Sequence, residues 1–350
     1  MNRTGFRFSE ADIAPDLPPD IAPNLLKTFL IGEEKRASAV LGLGITDLCN
    51  LKCPFCYYRQ DGASGKHTVM TPDFLKRILK GVGRVGTIMI GLEGEPLCHP
   101  DFRTMAELCS CHADNVVLVT NGLLVTSDTV GVLNECGVKA VFLSCDAVTP
   151  ETYGRLRCGG SLEVFSRNAR LLAASFGGGV CLHSVVTEVN WRELVLLPEF
   201  ARDLGITRLS LTQLRNNEWS ELNGIRRATA EEIREFAVAV CRTAERCGVS
   251  IVFDYLFGDR DLGEWLRGEL KAFSCARADL ASSCLSPWTA ASVLADGRVF
   301  PCCGDIAPVR PEALNFDGIF NCRALLRLRY ALSGPDLPEV CRKCREGEYR

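Results

Sequence analysis

The run Cys49-Asn50-Leu51-Lys52-Cys53-Pro54-Phe55-Cys56 sets three thiols with three and then two residues between them. Thiolate is the usual ligand of iron–sulfur clusters, and a fourth cysteine normally closes the site. Three sulfurs hold three corners of a four-iron cluster and leave one iron open to a small molecule. Zinc, or simple burial of the thiols, is the competing reading. A structural zinc site normally joins two CxxC halves into a closed tetrahedron. No second half follows within the next forty or so residues.

A second constellation lies near the C-terminus. Cys284, twelve residues, Gly297, four residues and Cys302 are followed much later by Cys341-Arg342-Lys343-Cys344. Ala290 to Phe300 between them reads as a hairpin around an Asp296-Gly297 turn. By spacing alone, four thiols in two pairs could hold zinc.

Further candidates come from strand parity. In Val180 to Thr187 the even residues Val180, Leu182 and Val186 are apolar and should meet helices. Cys181 and His183 would then face the opposite way, where a thiol and an imidazole could serve redox or proton chemistry. In Ser144-Cys145-Asp146 the same alternation pairs Ser144 with Asp146 and sends Cys145 to the other face.

These residues need strands to carry them, and short β-rich runs do alternate with helical periods. Strands are expected near 40–46, 86–91, 115–120, 138–145, 179–187 and 207–213, with 249–254 as a further one. Helices are expected near 72–82, 101–112, 126–136, 161–175, 192–204 and 229–247, plus a short one over Leu25 to Lys35. The fold class is therefore α/β, a partial (β/α)6 TIM-like barrel with a small C-terminal iron–sulfur domain. Sites on such barrels sit at the C-terminal ends of the strands, where the singled-out residues fall. The boundaries are an N-terminal extension over 1–38, the barrel over 39–255, a linker over 256–283 and the cysteine module over 284–350.

Composition narrows the class. A formal net charge of −3 gives no basic footprint for nucleic acid. No apolar run reaches membrane-spanning length, and Met1 to Asp20 has no signal-peptide core. A cytoplasmic protein is expected, in which nineteen cysteines point to metal binding and packing rather than disulfides.

The first cysteine motif, CxxxCxΦC with Phe55 as Φ, resembles that of the radical S-adenosylmethionine (SAM) superfamily. Other stretches carry the resemblance further. Gly94-Glu95-Pro96 is similar to the GGEP turn, with Glu93 where the family has its first glycine. Thr120-Asn121-Gly122 looks like the TNG turn. Ser144-Cys145-Asp146, Thr149-Pro150-Glu151-Thr152-Tyr153 and Arg157-Cys158-Gly159-Gly160-Ser161 look like the SxD and TxExY…RxGGS pattern of members with SPASM-type extensions. The C-terminal cysteines resemble the twitch form of that extension. The resemblance implies one auxiliary [4Fe-4S] cluster on Cys284, Cys302, Cys341 and Cys344, with Cys303 competing with Cys302 and Cys322 packing. It implies SAM on a [4Fe-4S] cluster held by Cys49, Cys53 and Cys56. It also implies cofactor contacts from Phe55, Gly94, Glu95, Pro96, Thr120, Asn121, Ser144 and Asp146. Arg157 is either a further contact or a surface residue.

The implied chemistry is hydrogen abstraction by a 5′-deoxyadenosyl radical, with electrons from a donor such as flavodoxin or ferredoxin. The plan resembles that of aminocyclitol- and aminoglycoside-antibiotic enzymes. The first expectation is therefore an epimerase of a sugar- or cyclitol-type small molecule. Cys181 would return the hydrogen, and His183 or Glu188 would bind substrate. Glu93, Asp146 and Glu188 would suit a cationic amino sugar. One alternative is a dehydrogenase of a similar alcohol. The other is a maturase of a ribosomally made peptide, against whose built-in leader-binding form the short N-terminal segment argues. Molybdopterin-pathway relatives, which end in Gly-Gly, are set aside because this chain ends Glu346-Gly347-Glu348-Tyr349-Arg350.

Overall fold

The computed structural model describes residues 30–56, 67–214, 222, 228–254, 273–274, 284, 286–302, 306–334 and 337–346. Its centre is a ten-stranded sheet in the order β10-β9-β1-β2-β3-β4-β5-β6-β7-β8. The strands are β1 Val40–Leu43, β2 Val85–Ile90, β3 Ala113–Thr120, β4 Ala140–Ser144, β5 Gly179–Val186, β6 Arg208–Gln213 and β7 Ser250–Asp254. β8 Phe273–Ser274, β9 Ala290–Val293 and β10 Val299–Phe300 complete it. Every neighbouring pair is parallel except the β9–β10 hairpin. This is the expected partial barrel.

The two faces of the sheet differ sharply. Leu41, Leu43, Ile88, Ile90, Val116, Leu118, Val141, Leu143, Leu182, Val186, Leu209, Leu211, Ile251 and Phe253 are at most 3% exposed. They form one core with the surrounding helices, and each fully buried side chain of this kind contributes about 1.5–3 kcal/mol. The alternate residues Met89, Val117, Val119, Phe142, Ser144, Cys181, His183, Val185, Thr212 and Val252 are only partly buried. Strand register puts them on the other face, with Phe142 beside Cys181 and Ser144 beside His183. That face is the less covered inner side of the partial barrel, its lumen.

Helices begin where short polar caps dictate. Thr71, Thr149 and Ser161 each accept a backbone N–H three residues on, at the starts of Pro72–Val82, Pro150–Leu156 and Leu162–Ser175. The helix expected over 192–204 instead opens with a 3-10 turn, Glu193–Leu196, before Leu197–Asp203. Pro198 supplies no N–H to carry an α-helix back through that turn.

Two expectations change in the described residues. Leu30 to Gly32 are not helical, and a 3-10 helix runs Glu33–Ser38; residues 25–29 lie outside the described set. The reason is that Asn321 takes both backbone groups of Ile31, through Ile31 N (2.8 Å) and Ile31 O (3.0 Å). Within the expected linker, Phe273–Ser274 is a strand on β7; all of its other residues fall outside the described set.

The C-terminal segment joins the barrel directly. β9 pairs in parallel with β1 along its whole length. Buried Arg329 donates to Pro287 O, Asn321 Oδ1 and Phe320 O, which ties the module's helices to the segment at Ile31. Among the described residues no helix is long and apolar enough to cross a membrane.

Candidate active site

The three-cysteine loop leaves β1 and lies over the lumen, anchored at three points. Glu95 N donates to Leu48 O at 2.7 Å. Asn121 Nδ2 donates to Asn50 Oδ1 at 2.8 Å. Lys52 N donates to Cys158 O at 2.8 Å. The three motifs after β2, β3 and β4 thus each hold one part of the loop. Gly94 is required at its place: φ is +59°, and a Cβ would stand 2.4 Å from Thr46 O and 2.5 Å from Leu48 O.

Leu51, Cys53 and Phe55 are buried with Leu156 and Leu214 in a small second core, against which Cys56, Val185 and Val189 pack. Val185 belongs to the lumen face of β5, so this core sits on the same side of the sheet as Cys181 and His183.

Glu95 is 2% exposed and committed within the protein. Its Oε1 accepts from Thr120 Oγ1 (2.7 Å) and Leu97 N (3.1 Å), and its Oε2 from Asn121 N (2.7 Å). Burial raises its pKa, and these three bonds oppose that. Glu95 therefore clasps the turn after β2 to the turn after β3.

Asp146 is fully buried. Its Oδ1 accepts from Val185 N at 2.7 Å, and its Oδ2 lies 2.5 Å from Arg157 Nε. Charge and proximity define that pair, because neither Oδ2 nor Nε has well-aligned hydrogen-bond geometry. Arg157 is 9% exposed, which removes the surface reading. Its guanidinium lies over the Phe55 ring, 5.7 Å from the centroid, and its charge favours the Cys53 thiolate. Ser144 is half-buried on the lumen face beside His183. Cys145 is fully buried in the helix-side core, donating to Ala147 O.

The donor set fits an iron–sulfur cluster. Cys49 lies within electrostatic reach of both Cys53 and Cys56. Burial pushes the Cys53 thiol up to about 11 although Arg157 pulls it down, and desolvation pushes that of Cys49 up to about 12. Thiols held this high ionise when a cation takes the proton's place. Among the described residues no three Cys, His, Asp or Glu side chains converge on one ion. Separate corner irons do not require such convergence.

In the lumen, His183 Nδ1 is 3.2 Å from Ser210 Oγ. Cys181 is half-buried, with Sγ 3.8 Å from Leu182 O. Glu188 lies beyond the end of β5, partly buried. Asn190 was not anticipated. Its Nδ2 donates to Asp146 O (2.8 Å) and Val185 O (2.9 Å) while its Oδ1 accepts from Thr187 N, so it locks the ends of β4 and β5 together. The spacing Thr187-x-x-Asn190 is the local signal for such a turn.

In the second constellation Cys284, Cys302 and Cys341 are half-buried, and Cys302 and Cys341 pack on the main core. Cys322 is buried there. Cys303 and the side chain of Cys344 lie outside the described set.

Residues 43–201 match the Radical SAM superfamily. A PqqA peptide cyclase of Ruegeria pomeroyi is 26% identical over 313 residues, which are 86% of this chain and 78% of that protein. A GTP 3′,8-cyclase of Aquifex aeolicus is 28% identical over 187 residues, 51% of this chain and 58% of that one. Among solved structures, Streptococcus suis SuiB bound to its precursor peptide SuiA superposes with a TM-score of 0.60 at 18% identity, over 75% of this chain and 59% of that chain. Its likeness is one of fold. The cysteine loop, the turns that hold it and the barrel beneath agree with the family match: the chain carries a radical SAM domain over residues 43–201.

Proposed function

We propose that this protein modifies a ribosomally made peptide, removing hydrogen from one residue of the peptide held in the lumen. The supporting observation is the match to a peptide cyclase, which spans 86% of this chain and reaches past the barrel. The sugar or cyclitol substrate first expected loses two of its three acidic anchors at the same time. Asp146 is fully buried against Arg157 and Val185 N, and Glu93 is held by Ala295 N, so neither stands ready for an amino sugar.

Bound on Cys49, Cys53 and Cys56, a [4Fe-4S] cluster with SAM supplies a 5′-deoxyadenosyl radical. The chain's own residues do the positioning. Glu95 and Asn121 hold the loop over the lumen, and Arg157 keeps positive charge beside Cys53. Phe142 beside Cys181 and Ser144 beside His183 give the lumen an apolar and a polar wall for a peptide side chain. Cys284, Cys302, Cys341 and Cys344 hold one auxiliary cluster, and a flavodoxin or ferredoxin delivers electrons.

Within this reading Cys181 returns a hydrogen atom to the peptide radical, giving a D-residue, and the thiyl radical left on Cys181 regains the thiol with one electron passed through the auxiliary cluster and one solvent proton. Its half-buried place on the lumen face, under the loop core that Val185 touches, favours it.

The test is anaerobic rebuilding with iron and sulfide, then reaction with SAM, a reductant and any short peptide encoded next to this gene, with amino sugars run in parallel. Peptide-dependent 5′-deoxyadenosine and an altered peptide are expected. Turnover of amino sugars in place of peptides would refute the proposal. One solvent deuterium gained at unchanged composition marks inversion, and loss of two hydrogens marks a cross-link. Cys181→Ala should abolish inversion and leave 5′-deoxyadenosine formation; intact inversion would remove Cys181 from the role.

A further inference from the structure

Glu93 stands where the resemblance puts a glycine, directly before the Gly94-Glu95-Pro96 turn, and its side chain crosses strands. Its Oε2 accepts from Ala295 N at 3.0 Å, a contact between residues 202 positions apart. To reach Ala295 from the end of β2 it passes over the end of β1. There a Cβ on Gly44 would be 2.7 Å from Glu93 Cβ and 2.9 Å from Oε2. The glycine missing at 93 therefore has a counterpart at 44, whose lack of a side chain opens the path.

Ala295 opens the turn between β9 and β10, and that turn is itself braced. Leu294 N donates to Arg298 O, and Arg298 Nε lies 2.5 Å from Asp296 Oδ2. The hairpin continues through Phe300 and Pro301 into Cys302. The groups facing the Glu93 carboxyl are Asp47 from the cysteine loop and Asp296 and Arg298 from the hairpin. Two acids and one base make this a costly place for a carboxylate, and burial pushes its pKa up to about 7. Unfavourable groups kept at such a junction point to a function.

We propose that Glu93 is a positioning residue that latches the hairpin leading to Cys302 onto the turn expected to hold SAM, coupling the C-terminal cysteine module to SAM binding. The coupling needs no particular substrate, so it stands or falls apart from the peptide reading.

The test uses the full-length protein, carrying its rebuilt clusters, as E93Q, E93A and E93G. Gln keeps an oxygen acceptor; Ala and Gly do not. Amide hydrogen exchange at Ala295 should speed about five- to tenfold in E93A, the loss of one hydrogen bond, and stay near the parent's in E93Q. Binding of SAM alone should weaken about threefold or more in E93A and recover in E93Q. Exchange in Pro72–Val82 serves as the folding control, and E93G replaces E93A if the latter does not fold. Unchanged Ala295 exchange in both short variants overturns the latch. Faster exchange with unchanged SAM affinity overturns the coupling, and an E93Q that behaves like E93A overturns the role of the acceptor.

Discussion

The rim of the barrel and the lumen beneath it are built from similar polar residues used in opposite ways. At the rim, Glu95, Asn121, Asp146 and Asn190 are buried, and each spends its polar atoms on backbone or on another rim side chain. In the lumen, Ser144, Cys181, His183 and Thr212 remain half-buried. Polar groups buried against other protein groups in this way are scaffold. Polar side chains left facing a cavity can meet a ligand. The contrast separates residues that hold the cofactor loop from residues that could touch a substrate, although the family motifs name mostly the first set.

The largest effect should come from the loop itself. Cys53→Ala removes one of three cluster sulfurs. Rebuilt protein should then lose 5′-deoxyadenosine formation entirely and keep only the iron and cubane absorbance of the auxiliary cluster, while its circular dichroism stays unchanged. Retained SAM cleavage would break the assignment of the loop.

The buried pair comes next. Asp146→Asn leaves Arg157 charged and only 9% exposed beside Cys53. Removing one partner of such a pair costs about 3–5 kcal/mol, and urea unfolding of the apo-protein should lose stability on that scale. A loss under about 1 kcal/mol would mean that Asp146 is free to contact cofactor, as the sequence alone suggested.

Here the limits of the sequence are plain. Strand alternation assigned both faces of β5, because period two survives wherever one face is under helices and the other is not. In Ser144-Cys145-Asp146 it sent Cys145 to the helix side, where it is buried, but gave no sign of what Asp146 would meet. β4 ends at Ser144, so alternation no longer governs Asp146, and the chain turns its carboxyl onto Val185 N and Arg157. Arg157 could not be placed either, since its burial depends on Phe55 and Cys53, about a hundred residues away. The described part of the helix expected over Leu25 to Lys35 departs from it at Leu30 to Gly32 for the same reason: a distant side chain, Asn321, overrides local propensity. Long-range hydrogen bonds leave no local period to read.

A smaller effect links pH to the rim's outer edge. The pKa of Glu93 lies near 7 in the folded chain against 4.5 without burial, so the native state holds the proton more tightly. Stability from this group is full below pH 4.5 and falls as pH rises through 7. At about 1.4 kcal/mol per unit, the loss between pH 5 and 8 is at most about 3 kcal/mol. Glu93→Gln, which cannot ionise, should gain on the parent by up to that amount over the same range, measured by urea unfolding at both pH values. A pH-independent difference would place the carboxyl in water.

The smallest effect belongs to the lumen and tests the contrast most directly. Cys181→Ser exchanges a half-buried thiol on the lumen face for a hydroxyl of similar size. The exchange keeps both the volume and a polar hydrogen, and stability should move by less than about 1 kcal/mol, the scale of substitutions outside cores and networks. Ser144→Ala should do the same, because its neighbour in register, His183, has its Nδ1 on Ser210. If either cost as much as Asp146→Asn, the lumen wall would be scaffold too, and the division between rim and lumen would fail. If both are silent in unfolding yet change the peptide product, their half-buried state serves the substrate and not the fold.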